Sequence, residues 1–205
     1  MNPVATAMRA MPMYQRLSDF IRNSKPSGYR PGVTLEHVRR NLPSLGFEAL
    51  EAGRGRFTAA PGGLSFEVHE LAQSQLLMHV VVTEFVVQIP ALGQGAARLD
   101  LRHTGTLRRQ GIACKRKLGD SDEMARLAAS VQGDEALLAA LMPLDFKRLQ
   151  LERSAGQWQV RLEHMGASEV VNRMPNFRRY IRLSNEQRDH LLDVFSALQR
   201  ILSAF

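Results

Sequence analysis

An α+β protein built on a mainly antiparallel, curved β-sheet is the fold class that the chain predicts, on three observations. Apolar side chains recur at every second residue through much of the stretch from Gly46 to Leu118. They recur at helical spacing from Asp120 to Leu141, and again from Ser184 to Leu202. Runs of strands set apart from runs of helices mean an α+β plan rather than alternating βαβ units. With 205 residues, 44% hydrophobic and 23% charged, the composition is that of a folded globular chain. One domain over residues 1–205 is expected, with residues 1–30 forming a peripheral helix and loop.

Each element has its own signal. Tyr14, Leu17, Phe20 and Ile21 are spaced as one face of a helix, with Pro12 near its start. Lys25 to Gly32 contains two prolines and two glycines and reads as a loop. A short helix follows, with Thr34 as N-cap and Leu35, Val38 and Leu42 on its buried side, and Pro43 ends it. Gly53-Arg54-Gly55 reads as a turn between the strands Phe47–Leu50 and Arg56–Thr58. Leu64, Phe66 and Val68 then alternate with Ser65, Glu67 and His69, the pattern of a half-buried strand. From His79 to Ile89 the chain is rich in β-branched residues, which predicts a long central strand buried on both faces. Arg98–His103 forms another strand. The next passes through Ile112, Cys114 and Leu118, all three expected to face the core.

Asp120 or Ser121 opens a helix through Met124, Leu127 and Val131, and a second helix runs from about Asp134 to Leu141. The clearest hairpin follows. Phe146, Leu149 and Leu151 lead into Ser154-Ala155-Gly156, and Trp158, Val160 and Leu162 return, alternating with polar Gln157, Gln159, Arg161 and Glu163. Ser184 and Gln187 are spaced as a capping box, and Leu191, Phe195, Leu198 and Leu202 form one apolar stripe behind it.

Several function classes find no support. The N-terminus lacks the apolar core of a signal peptide, and Leu76–Ala91 is interrupted by His79, Glu84 and Gln88. With one cysteine, Cys114, no disulfide forms within the chain, so a cytoplasmic location is the expectation. Neither a phosphate loop, nor paired cysteines, nor a zinc-protease or nucleophile-elbow motif is present, so no catalytic residue, metal or cofactor is assigned. Glu67 and His69 share a strand face, but a metal site needs a third ligand such as His79; solvent-facing polar residues are the simpler reading. Cys114 reads as a small buried hydrophobe despite neighbouring Lys115 and Arg116.

Charge is the remaining signal. The net charge is +7 and the pI is near 10.3, enough to attract anions. No lysine or arginine occurs between Phe57 and Ala97, whereas Arg98 to Lys117 is strongly basic with Asp100 as its single acid. If those strands pair, Arg98, Arg102, Lys115 and Lys117 share a face. Arg173, Arg178, Arg179 and Arg182 form a second cluster. The candidate anion-binding residues are therefore Arg116, Lys117, Arg173, Arg178, Arg179 and Arg182. The plain structural role of the second cluster would be pairing with Glu169, Glu163 or Asp189, and that of the first a solvated strand face balanced by the neighbouring acidic helices.

The stretch Met165–Leu183, together with the Trp158 hairpin before it, resembles an uncharacterised bacterial family of small soluble proteins known as a domain of unknown function. That family has no assigned activity, so the resemblance implies no site residues. The function expected is a non-enzymatic binding or scaffold protein that offers a concave sheet surface to a small ligand or protein partner, an anionic ligand included. A nucleic-acid or phosphate-binding module is one alternative. An enzyme of unrecognised class using Glu67, His69 and Glu169 is another, and an enclosed polar cleft with converging titratable groups would favour it.

Overall fold

The computed structural model describes residues 28–59, 63–74, 78–105 and 108–205. The helix expected near Tyr14 lies outside these residues. Four helices are described: α1 (Val33–Asn41), α2 (Ser121–Gly133), α3 (Glu135–Leu141) and α4 (Asn185–Leu202). The first strands are β1 (Gly46–Glu51), β2 (Arg54–Thr58), β3 (Ser65–Ser74) and β4 (Met78–Pro90). They are followed by β5 (Ala97–Thr104), β6 (Gly111–Leu118), β7 (Phe146–Ser154), β8 (Gln157–Arg173) and β9 (Asn176–Tyr180). No described helix is long and apolar enough to cross a membrane.

All nine strands join one antiparallel sheet in the order β1-β2-β3-β4-β8-β7-β5-β6, with β9 paired to β8. The β-branched run of β4 sits in the middle as expected, buried for most of its length. Its partner β8 changes neighbours halfway along. Residues 157–164 lie between β4 and β7, and residues 169–173 lie between β4 and β9. Between the halves the register jumps from Thr83↔His164 to Val81↔Glu169. The extra residues include Ala167 at φ 70. Thr83 absorbs this irregularity: its hydroxyl donates to the Ala167 carbonyl, and its amide donates to Ser168 Oγ at 3.2 Å. Buried backbone groups are thus kept paired through the break.

One face of the sheet carries the core. Phe57, Phe66, Phe85 and Trp158 are all under 3% exposed, and Phe195 of α4 packs 5.4 Å from Phe66 and 6.2 Å from Phe85, ring to ring. The Ser184 capping box is present with both of its hydrogen bonds. α2 is capped by Asp120, whose carboxylate accepts from the amides of Asp122 and Glu123. Arg153, 3% exposed, fixes α2 to the sheet by gripping both carboxylate oxygens of Glu123 and the Gly95 carbonyl.

Three local expectations are corrected. Thr34 does not cap α1. Gly32 occupies the N-cap at φ 88 without a side-chain bond, and Glu70 from β3 accepts from the amides of Gly32 (2.9 Å) and Leu35 (2.7 Å). Thr34 instead reaches Glu169 at 3.2 Å. The first hairpin turns at Ala52-Gly53, with Gly53 at φ 81, so Arg54 and Gly55 are strand residues. Leu118 is 55% exposed rather than core-facing. The pairing of β5 with β6 slips between Arg98/Leu99, which puts Leu118 opposite Arg98 and Arg116 opposite Leu99. A one-residue slip exchanges the two faces of a strand.

Candidate functional site: a charge-paired cleft on the open sheet face

The face opposite the core is mostly polar by alternation, although Val80, Val82 and Val86 of β4 also stand on it. Glu67 and His69 on β3, Glu84 on β4, Arg161 and Glu163 on β8, and Arg148 and Gln150 on β7 all stand on it, because Phe66, Phe85, Leu162 and Leu149 face the other way. Side chains from the Gly53 turn across to Arg98 of β5 line one cavity of about 600 Å³, so the sheet is concave on this side. A second hollow of about 390 Å³ continues it past Gln88 and Gln159, sharing Glu152 and Arg161 as wall.

The cleft floor is a chain of ion pairs and hydrogen bonds running across five strands. Glu67 is held by Arg54 (2.9 Å) and Arg56 (3.2 Å). The His69 ring stands between two carboxylates, with Nε2 2.9 Å from Glu67 and Nδ1 3.6 Å from Glu84. Glu84 pairs with Arg161 at 3.0 Å and Glu163 with Arg148 at 3.4 Å. Arg148 also donates to Gln150 (2.7 Å), which donates to Glu152 (2.8 Å).

Glu84 and Glu163 are directly opposite across β4 and β8, each 4% exposed. Like charges so placed repel, and the separate arginine of each offsets this. Burial alone would raise the Glu84 carboxyl, but His69 and Arg161 outweigh it and hold it below the ordinary carboxylate range. Glu67 is brought down to about 2, chiefly by the His69 hydrogen bond; partial burial opposes this, and Arg54 and Arg56 reinforce it. Titratable groups therefore do converge here. Both of these carboxylates are ionised near neutrality, away from the range of a general acid.

The other sequence candidates fall elsewhere. Arg116 and Lys117 lie on the outer strand β6, where Arg116 reaches the Gly119 carbonyl and Lys117 sits 3.8 Å from Asp100. Arg98, Arg102 and Lys115 do share a sheet face, and Arg98 also lines the cleft; Asp100, on that same face, draws Arg98 to 3.2 Å. Arg173, Arg178, Arg179 and Arg182 belong to the β8–β9 hairpin and the segment after it, three strands away across the sheet. Arg178 pairs with Glu169 at 3.1 Å, the plain structural role foreseen for it. Glu169 and His79 are set on the α1 side by the register, so neither joins Glu67 and His69. Among the described residues no group of three or more His, Cys, Asp or Glu side chains is arranged to hold a metal ion. Burial pushes the Cys114 thiol up to about 11, which leaves it a poor nucleophile.

Arg54, Arg148, Gln150 and Glu152 of the cleft were not singled out from the sequence. For Arg148, Gln150 and Glu152 the signal was present, as polar positions alternating with core residues, whereas Arg54 read as a turn residue. What was missing was the order of strands that brings them together.

Fold and cleft define a class: an α+β protein on one open antiparallel sheet, with helices on the apolar face and a charge-paired hollow on the other. The chain belongs to the family described as a protein of unknown function, DUF3156, whose model matches residues 40–202. The match runs from the end of α1 through α4, well beyond the stretch from the Trp158 hairpin to Leu183. No curated protein and no solved structure matches the chain.

Proposed function

We propose that this is a cytoplasmic, non-enzymatic binding protein whose concave sheet face receives a small, polar, charge-balanced ligand. The carrying observation is the balance of the cleft. Its wall has four arginines (Arg54, Arg98, Arg148, Arg161) and four glutamates (Glu70, Glu84, Glu152, Glu163). Such a surface repels a polyanion as much as it attracts one, and it suits a molecule bearing both a cationic and an anionic group. The volume of about 600 Å³ is that of a small-molecule site. Binding is favoured over catalysis because the Glu67, His69, Glu84 and Glu163 groups are committed to one another or to arginine.

Thermal-shift and calorimetric titration test this with free amino acids and dipeptides, neutral oligosaccharides, inorganic phosphate and a short oligonucleotide. A zwitterionic probe is expected to raise the melting temperature, and Arg98→Gln or Glu152→Gln on the cleft wall to weaken it about tenfold. Stabilisation by polyanions alone would overturn the reading in favour of the phosphate-binding alternative. Consumption of a bound probe would overturn it in favour of an enzyme.

A further inference from the structure

The β8–β9 hairpin is unlike the rest of the surface. β8 and β9 are joined by Met174-Pro175, and Arg173 pairs with Asn176 at the tip. Met174 is 75% exposed and Phe177 45% exposed. From Val170 to Leu183 the chain has four arginines and no acidic residue. Arg178 is committed to Glu169 and the Gly28 carbonyl. The side chains of Arg179 and Arg182 are exposed and make no hydrogen bond or ion pair among the described residues.

From this juxtaposition of an apolar tip and uncommitted arginines we infer that the β8–β9 hairpin docks the protein onto an anionic membrane surface. Met174 and Phe177 enter the interface, Arg179 meets lipid phosphates, and Arg182, in the segment after β9, adds longer-range attraction. The spacing fits. Phe177 and Arg179 are on one face of β9, the face opposite Arg178 and Tyr180, and two residues of strand span about 6–7 Å. Apolar side chains of interfacial proteins sit about 5–10 Å into the headgroup and acyl boundary. An anionic leaflet attracts each nearby arginine.

Nucleic acid is the competing partner for exposed arginines. A phosphodiester backbone, however, offers nothing to a solvent-exposed thioether at the very tip, whereas lipid does. Tyr180, the aromatic a base-stacking surface would need here, is already stacked on His37 at 4.5 Å on the opposite face.

The test is flotation of the full chain with vesicles of phosphatidylcholine containing one-third phosphatidylglycerol, against vesicles of phosphatidylcholine alone. Binding is expected to the anionic vesicles only and to weaken with salt. Met174→Ser with Phe177→Ser is expected to lower it at least about tenfold, and Arg179→Glu with Arg182→Glu to abolish the preference for anionic lipid. The substituted side chains are exposed, so far-UV circular dichroism and melting temperature should stay at wild-type values. Three outcomes would overturn the inference: no binding to anionic vesicles, wild-type binding by the serine variant, or tighter retention by a DNA or RNA oligonucleotide that displaces the protein from vesicles. The cleft takes no part, so the result is independent of what binds there.

Discussion

His164 shows how much depends on a single side chain at the break in β8. The ring is fully buried. Its Nδ1 lies 3.1 Å from the Gly166 carbonyl, which can only accept, so Nδ1 carries the proton. Nε2 has no hydrogen-bond partner among the described residues. A proton arriving there would be buried without an acceptor. Burial accordingly lowers the His164 pKa below its ordinary 6.5, only partly opposed by the Gly166 carbonyl and Asp145. A histidine with a depressed folded value contributes stability that is fully present above about 6.5, the unfolded value, and is lost as pH falls below it. Urea unfolding should therefore show stability declining from pH 7 to pH 5, and His164→Phe should flatten that decline, leaving the contribution of His103, also lowered by burial. An unchanged slope in the variant would remove His164 as the cause. Gly166 belongs to the same device, because a Cβ there would stand 2.7 Å from the imidazole ring.

Among the elements, the two helices that frame the sheet differ in how they begin. α4 is started by its own sequence, through Ser184 and Gln187. α1 is started from a distance, by a Glu70 carboxylate that also accepts from the Tyr29 hydroxyl at 2.7 Å. Ser184→Ala should cost about 1 kcal/mol. Glu70→Ala removes three accepted bonds and a favourable charge at the helix start, and should cost about 1–3 kcal/mol. Denaturant titration of both variants checks the order, and equal losses would mean that Glu70 is not the anchor of α1. This contrast also marks what a sequence can reveal. The α4 cap is legible because its partners are three residues apart. The α1 cap is not, because its partner is a strand more than thirty residues on, and Thr34 offered a local decoy. The same holds for the outer strand β6, where Lys115, Arg116 and Lys117 read as an anion site. Charges on an exposed strand edge also discourage pairing with another chain.

Across the molecule, the cleft is an arrangement of pairs that alternation predicts one strand at a time and only strand order assembles. Outward positions such as Glu67, His69, Arg161 and Glu163 were readable from period-two patterning. That Arg161 meets Glu84, 77 residues away in sequence, was not, because β4 and β8 are neighbours only in the folded sheet. The pairing has an energetic signature. Arg161→Ala leaves Glu84 buried without its cation and should cost about 2–3 kcal/mol, less than for a fully buried pair because the Arg161 side chain is 33% exposed. Adding Glu84→Gln should recover more than half of that loss. A double-mutant cycle by chemical denaturation measures this, and purely additive losses would mean that the two side chains do not support each other.

The central seam between β4 and β8 has a consequence for synthesis. Every residue of β4 but Val82 waits for a mate made much later: Pro90 for Gln157, and Met78 for Asn172. At about 5–20 residues per second on the ribosome, the most valine-rich edge of the chain stands open for several seconds. Its early neighbour β3 covers only one side. Closure of so distant a contact is slow by its nature, and a nascent chain halted before Gln157 presents a bare apolar ribbon to whatever chaperone or sister chain reaches it first.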